Sequence, residues 1–429
     1  MKRSTTTIRI AAVAAASALV LAACGGSSDS EGGSDGGSAA PAAKGDGTLT
    51  IGSLLPQTGS LAFLGPPEFA GVDLAIADIN AAGGVLGKDV VGVKADSGDT
   101  DSGIAPAETD KLLKAKSDVI IGAASSGVSL TVIDKILSAG VVEYSPANTS
   151  TAFDEGDYSK PDLYFRTAPS DILQGAVLAN LLLEDGKQNV AILARQDAYG
   201  ETLASEVKKN LENAGSSVAA SVLYSEKDGP GDTQISEIAD ANADAVVLIA
   251  FEETTTIIPK LIQAGAGPKD VPTYFVDGNT ASYAADASTP LPPGTLEGTK
   301  GTIPGAETTS DFKDRLLEVN PDLTDYSYSA ESYDAVITSA LAAIVAKSDA
   351  GEDIAKALPD VTKGGEKCTT FEECAALLKD DPATDIDYDG VSGEIELGET
   401  GSPTSASIGI YQYDAENKIA PVDYIKGTI

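Results

Sequence analysis

The chain has no histidine and no tryptophan, one methionine at its start, and three cysteines in 429 residues. Without histidine, Ser-His-Asp and Cys-His nucleophilic arrangements cannot be built, and neither can a histidine-ligated zinc site. Proton transfer would fall to carboxylates, lysine or tyrosine. Positive charge is scarce as well. Against 65 Asp and Glu stand 29 Lys and Arg, a formal net charge of −36. Such a field disfavours nucleic acid and anionic lipid as partners, while a local pocket can still hold an anion or a zwitterion. These absences tilt the reading from catalysis towards binding, with no enzyme activity and no cofactor expected.

Charge is missing altogether from Ile10 to Ala23, a stretch of Ala, Val, Leu and little else that follows Lys2, Arg3 and Arg9. A basic start, a short apolar core and small residues before a cleavage point make 1–23 a secretory signal peptide. The apolar run is too short to span a bilayer. Leu21-Ala22-Ala23-Cys24 resembles the lipobox of bacterial lipoproteins, which implies that the Cys24 sulfur carries lipid and anchors the mature chain outside the cytoplasm. From Cys24 to Gly47 the composition is mostly Gly, Ser, Ala and Asp without periodicity, which predicts a flexible linker. Its reach is about 25 Å. Setting Cys24 aside leaves Cys368 and Cys374. Outside the cytoplasm such a pair reads as a disulfide; metal binding is the rival, poorly served by two thiols.

From Thr48 to Ile429 short apolar runs alternate with helical patterns. Strands are expected at 48–55, 119–122, 141–144, 163–166, 190–193, 218–224, 245–251 and 273–276. Helices are expected at 68–82, 129–139, 170–184, 200–214, 233–241 and 255–264, the first carrying Phe69, Val72, Ile76 and Ile79 on one face. Strands alternating with helices of this length predict an α/β fold with parallel sheets covered on both faces. Ligands in such folds sit at the carboxyl ends of the strands. Asp118–Ser126 and Asp244–Glu252 resemble one another, each an apolar strand opening into a polar loop that starts a helix. Either βα units are simply alike, or two sheets of similar build present one loop each to a shared ligand.

Particular runs carry more. Pro56-Gln57-Thr58-Gly59-Ser60-Leu61-Ala62, Ala70-Gly71-Val72 and Asp78-Ile79-Asn80-Ala81-Ala82-Gly83-Gly84-Val85-Leu86-Gly87-Lys88 open the folded region. Ile121–Ser126, Ser145–Thr149, Arg166–Asp171, Ala198–Glu201 and Tyr388–Gly393 follow in order. Together they resemble the branched-chain amino-acid (leucine/isoleucine/valine-binding-like) class of substrate-binding proteins for ABC transporters, on the type I periplasmic-binding fold. The resemblance implies two Rossmann-like lobes joined by a three-segment hinge, with 48–166 plus 280–400 in lobe I and 167–279 plus 401–429 in lobe II. It implies an amino acid or similar zwitterion as ligand and ABC permease subunits as partners.

By that resemblance Ser126 and neighbouring amides would hold a ligand carboxylate, since a hydroxyl at a helix amino end is an anion site. Ser125 or Ser126 could equally be a helix cap. Ala147 and Thr149 would line the same site, unless Thr149 only closes a turn. Across the cleft Tyr199 would cover the ligand and Asp277 would pair with its ammonium group, although an Asp before Gly278 also suits a turn. Phe251 would be a contact or a core residue. In the first loop the family's ligand-facing aromatic position falls at Phe63 or Leu64. Asp385-Ile-Asp387-Tyr-Asp389-Gly390 with Glu396 satisfies EF-hand spacing, but the flanking Pro382, Gly398 and Pro403 do not suit flanking helices, so no metal is expected. Other readings are a sensing module for a separate signalling partner, a binder of amide or urea-type solutes, a carboxylate-dependent glycosidase, and an adhesive surface protein.

Overall fold

The computed structural model describes residues 45–155, 158, 162–381 and 383–429. The expected signal peptide, Cys24 and nearly all of the linker lie outside them. At the start of the described residues the Gly47 and Thr48 amides donate to the Asp349 carboxylate at 2.6 and 2.8 Å.

Five parallel strands form the first sheet. They are β1 (Thr50–Leu55), β2 (Val91–Asp96), β3 (Val119–Gly122), β4 (Val142–Ser145) and β5 (Tyr164–Arg166), in the order β2-β1-β3-β4-β5. Successive side chains point to opposite faces, and here both faces are apolar. Ile51, Leu55, Val119 and Ile121 pack under α1 (Gly65–Ala81), while Leu54 and Ile120 pack under α2 (Ala105–Lys114) and α3 (Ser126–Ser138). Pro66 and Pro67 stand in the first turn of α1, where a missing N–H costs nothing.

The second sheet repeats this plan. β6 (Asn189–Arg195), β7 (Ser217–Tyr224), β8 (Ala245–Ile249), β9 (Thr273–Phe275) and β10 (Lys300–Pro304) are parallel. One face, with Val190, Ile192 and Val247, is covered by α4 (Asp171–Glu184) and α5 (Ala198–Asn213). The other, with Leu193, Val246 and Leu248, is covered by α6 (Asp232–Asp240) and α7 (Thr254–Gln263).

The remaining chain joins these two bodies. After β10 come α8 (Ser310–Val319), α9 (Ser329–Ala346) and α10 (Gly351–Ala357). A small sheet follows, of β11 (Glu366–Cys368), β12 (Ile386–Gly390) and β13 (Gly393–Glu394), with α11 (Phe371–Asp380). Helix α9 packs on the first sheet beside α1. A Cβ on Gly71 would stand 2.2 Å from the Ser329 carbonyl oxygen, so only glycine permits this approach. Cys368 and Cys374 form a disulfide between β11 and α11. Last come β14 (Ser405–Tyr413) and β15 (Ile419–Thr428), antiparallel additions that complete the order β15-β14-β10-β9-β8-β6-β7.

One sequence expectation changes. The sequence places 280–400 whole in lobe I, yet β10 pairs with β9 and β14, so 300–304 belongs to the second sheet. The EF-hand-like stretch is a strand and turn, not a loop between helices. Asp387 and Asp389 pair with Lys367 at 3.2 and 2.8 Å. The Ser392 and Val391 amides and the Tyr388 and Ser392 hydroxyls converge instead on the buried Asp334 of α9. Burial pushes Asp334 up to about 6, against the pull of those donors. Among the described residues no helix is long and apolar enough to cross a membrane.

Candidate ligand-binding site

In a parallel sheet of this winding, ligands settle where the strand order reverses, outside the carboxyl ends. The first sheet reverses between β1 and β3, and the second between β6 and β8. The loops that leave those four strands, with the turn after β9, meet at one cavity. It is lined by Leu61 and Leu64 after β1, and by Ala124, Ser125 and Ser126 after β3. Ala147, Tyr199, Phe251, Asp277, Gly278 and Tyr328 complete it.

The first wall is an amino end of a helix. Ser125 caps α3, its hydroxyl accepting from the Val128 amide at 3.4 Å, while the Ser126 hydroxyl accepts from the Ser150 amide at 3.3 Å. The preceding loop is pinned from behind. Asn148 donates to the Ala123 and Ala124 carbonyls and Ser145 donates to Ala123. Aligned peptide dipoles make this end of α3 electropositive, and both serines open onto the cavity.

The facing wall is a carboxylate. Asp277 begins a 3-10 turn after β9 that Asn279 fastens, accepting from the Val276 amide and donating to Leu248 and Thr254. Tyr199 and Gln174 donate to Asp277 Oδ1 at 2.6 and 2.9 Å, and Tyr328 donates to Oδ2 at 2.8 Å. Burial raises the Asp277 pKa, and the Tyr199, Gln174 and Tyr328 donors oppose that rise. Neutral donors bond it, but among the described residues no lysine or arginine neutralises it. Phe251 fills the next place, stacked on Tyr199 at 5.4 Å with the Arg195 guanidinium 3.5 Å above its other face. Arg195 is itself clasped by Asp197, Glu253 and Glu226.

Seven of the candidate positions therefore share one space: Leu64, Ser125, Ser126, Ala147, Tyr199, Phe251 and Asp277. Two do not line it. Phe63 faces a larger neighbouring groove. Thr149 is buried beside Asp171, a carboxyl that burial pushes up to about 7 against the donating Thr202 hydroxyl. Sequence reasoning missed Tyr328 and Gln174. The signal for Tyr328 was an aromatic-rich turn, Tyr326-Ser-Tyr328-Ser, at the head of an apolar helix.

Two doubly wound sheets whose reversal points face one cavity define the type I periplasmic-binding fold. The chain belongs to the periplasmic binding protein family, whose profile matches residues 48–368. The chemotactic signal transduction system substrate-binding protein BasB of Halobacterium salinarum is 28% identical over 362 residues, covering 81% of this chain and 83% of its own. The leucine-, isoleucine-, valine-, threonine- and alanine-binding protein of Pseudomonas aeruginosa is 29% identical over 262 residues, 60% of this chain and 67% of its own. Among solved structures, the branched-chain amino acid transporter substrate-binding protein LivJ of Streptococcus pneumoniae, in complex with isoleucine, superposes with a TM-score of 0.68 at 19% identity. That match covers 89% of this chain and all of LivJ.

Proposed function

We propose that this chain is an extracytoplasmic solute-binding protein that holds an amino acid or similar small zwitterion between two lobes. It delivers that solute to an ABC importer and stays at the membrane through lipid on Cys24. One observation carries the reading: the amino end of α3, with Ser125 and Ser126, and the Asp277 carboxylate stand on opposite walls of one cavity. The first suits a carboxylate and the second an ammonium group, which supplies the counter-charge that Asp277 lacks. Tyr199, Phe251, Leu61 and Leu64 offer apolar surface between them. The named ligands of the Pseudomonas and Streptococcus proteins support the same class.

The cavity volume is only ≈ 10 Å³, about the room one water needs, so an amino acid enters by parting of the walls. The chain crosses between the two sheets at three places: after β5, after β10 and before β14. Arg166 ties two of them, its amide donating to the Gly401 carbonyl and its guanidinium to Ser402. Hinge motion about such crossings couples ligand affinity to lobe position. On this reading the lobe boundary falls after Pro304.

Calorimetric titration with L-leucine, L-isoleucine, L-valine and L-alanine, alongside urea and acetamide, tests the ligand class. Saturable binding of at least one amino acid is expected. Binding of the amides with none of the amino acids would overturn it. The name of the Halobacterium relative favours a second reading, capture of the same class of solute for a signalling partner. Affinity capture on the full chain distinguishes permease subunits from a transducer.

A further inference from the structure

Beside the tight cavity runs a groove of ≈ 790 Å³, within the range of small-molecule sites. Its walls have a consistent chemistry. Six aromatic side chains line it, and carboxylates outnumber lysines five to two. Glu331, in the first turn of α9, is 95% buried and lines the groove. Besides its own amide, no described residue donates to that carboxylate, and among the described residues no lysine or arginine pairs with it. Burial, with Asp334 nearby, pushes it up to about 8. Gly305 clears the approach: a Cβ there would stand 2.7 Å from Glu331 Oε1. Behind Glu331, Glu68 of α1 is fully buried with both oxygens unbonded.

The aromatic faces already receive a cation. Lys313 Nζ stands 5.4 Å from the centroid of Tyr326, on the groove wall. Tyr411 and Tyr424 form a second aromatic surface, edge to face at 6.3 Å. Aromatic faces beside a buried acid that lacks a basic partner favour a cation that sheds water easily, and binding one draws off the proton that Glu331 keeps near neutral pH. A hydrated metal ion is less suited, because it needs several convergent oxygens, and no cluster of three or more ligating side chains occurs among the described residues.

The geometry points to this groove as a second binding site, for a small organic ammonium ion held by Glu331 and the tyrosine faces. It is separate from the zwitterion cavity and does not depend on that assignment. Choline chloride titrated into the purified full chain by calorimetry tests it, with sodium chloride at equal ionic strength as the blank. Saturable one-site binding is expected, weakened about 5-fold or more by Glu331→Gln and by Tyr326→Ala. Lys313→Ala, which removes the resident cation, tightens choline about 3-fold. Neither Tyr326→Ala nor Lys313→Ala alters amino-acid binding, and both side chains are only partly buried, so these variants decide the matter if Glu331→Gln fails to fold. Three results would overturn the proposal: a response no larger than that to sodium, equal affinity in wild type, Tyr326→Ala and Lys313→Ala, or loss of choline binding in Asp277→Asn alone.

Discussion

The cavity and the groove share Tyr328, yet they treat a buried acid in opposite ways. In the cavity, Asp277 has three donors fixed by three different helices or helix ends, Tyr199, Gln174 and Tyr328. In the groove, Glu331 has only its own amide. The polar groups of the cavity are fixed by their hydrogen bonds before any ligand arrives, so once the walls part those groups need little rearrangement. The groove is roomy, and its buried acid is uncompensated. Preorganisation, rather than the presence of a carboxylate, separates a strong site from a weak one.

The largest expected effect tests the strong side of that contrast. Asp277→Asn removes the one carboxylate that lines the cavity among the described residues and lowers amino-acid affinity by ~100-fold or more, since breaking a buried ion pair costs about 3–5 kcal/mol. Calorimetry reads it, with circular dichroism confirming an intact fold. An unchanged affinity would remove the cavity as the charge-pairing site.

Next comes pH. Burial raises Glu331 to about 8 from 4.5, so the folded protein keeps a proton that the unfolded chain releases near the ordinary value. Its contribution is complete below pH about 4.5 and is lost as pH rises towards 8. Glu143, buried in β4 and likewise raised to about 8, acts in the same direction. Denaturant midpoints should therefore fall between pH 5 and pH 8. Glu331→Gln, a mimic of the protonated acid, flattens part of that slope, while a slope identical to wild type would show that Glu331 is not the uncompensated group.

Smaller effects sharpen the comparison. Ser126→Ala weakens amino-acid binding about 5- to 10-fold, the worth of one hydrogen bond to a charged group, and leaves choline affinity unchanged. Tyr328→Phe keeps the ring and removes one of the three Asp277 donors. It costs the amino acid a few-fold in affinity and choline nothing. Equal losses for both ligands would show that the two spaces are one site.

Much of this arrangement was legible in the chain. Strand-to-loop transitions such as Val119–Ser126 and Phe275–Gly278 placed Ser126 and Asp277 correctly at strand ends, because apolar runs buried on both faces end abruptly at polar residues. The unread parts have physical causes. Helix α9 is apolar or small almost all round and buried from Ser329 to Ala343, so no polar face marked its period, and Tyr328 before it went unnoticed. Strand β15 is largely exposed at a sheet edge, which leaves no clean alternation. Phe63 and Leu64 lie in a turn, where neighbouring side chains follow no period, so only coordinates show that Leu64 faces the cavity. Thr149 follows the expected strand, but it is buried outside the cavity, its carbonyl accepting from the Asp171 amide at 2.7 Å and its hydroxyl unbonded.

Helix α9 holds Tyr328 at its head, Glu331 one turn on, and Asp334 a further turn along, clamped by the turn that follows β12. A single rod thus touches both binding spaces and the cystine-bearing subdomain. Loosening the clamp on Asp334, well away from any solute, is therefore expected to change solute affinity, which calorimetry on Ser392→Ala reads.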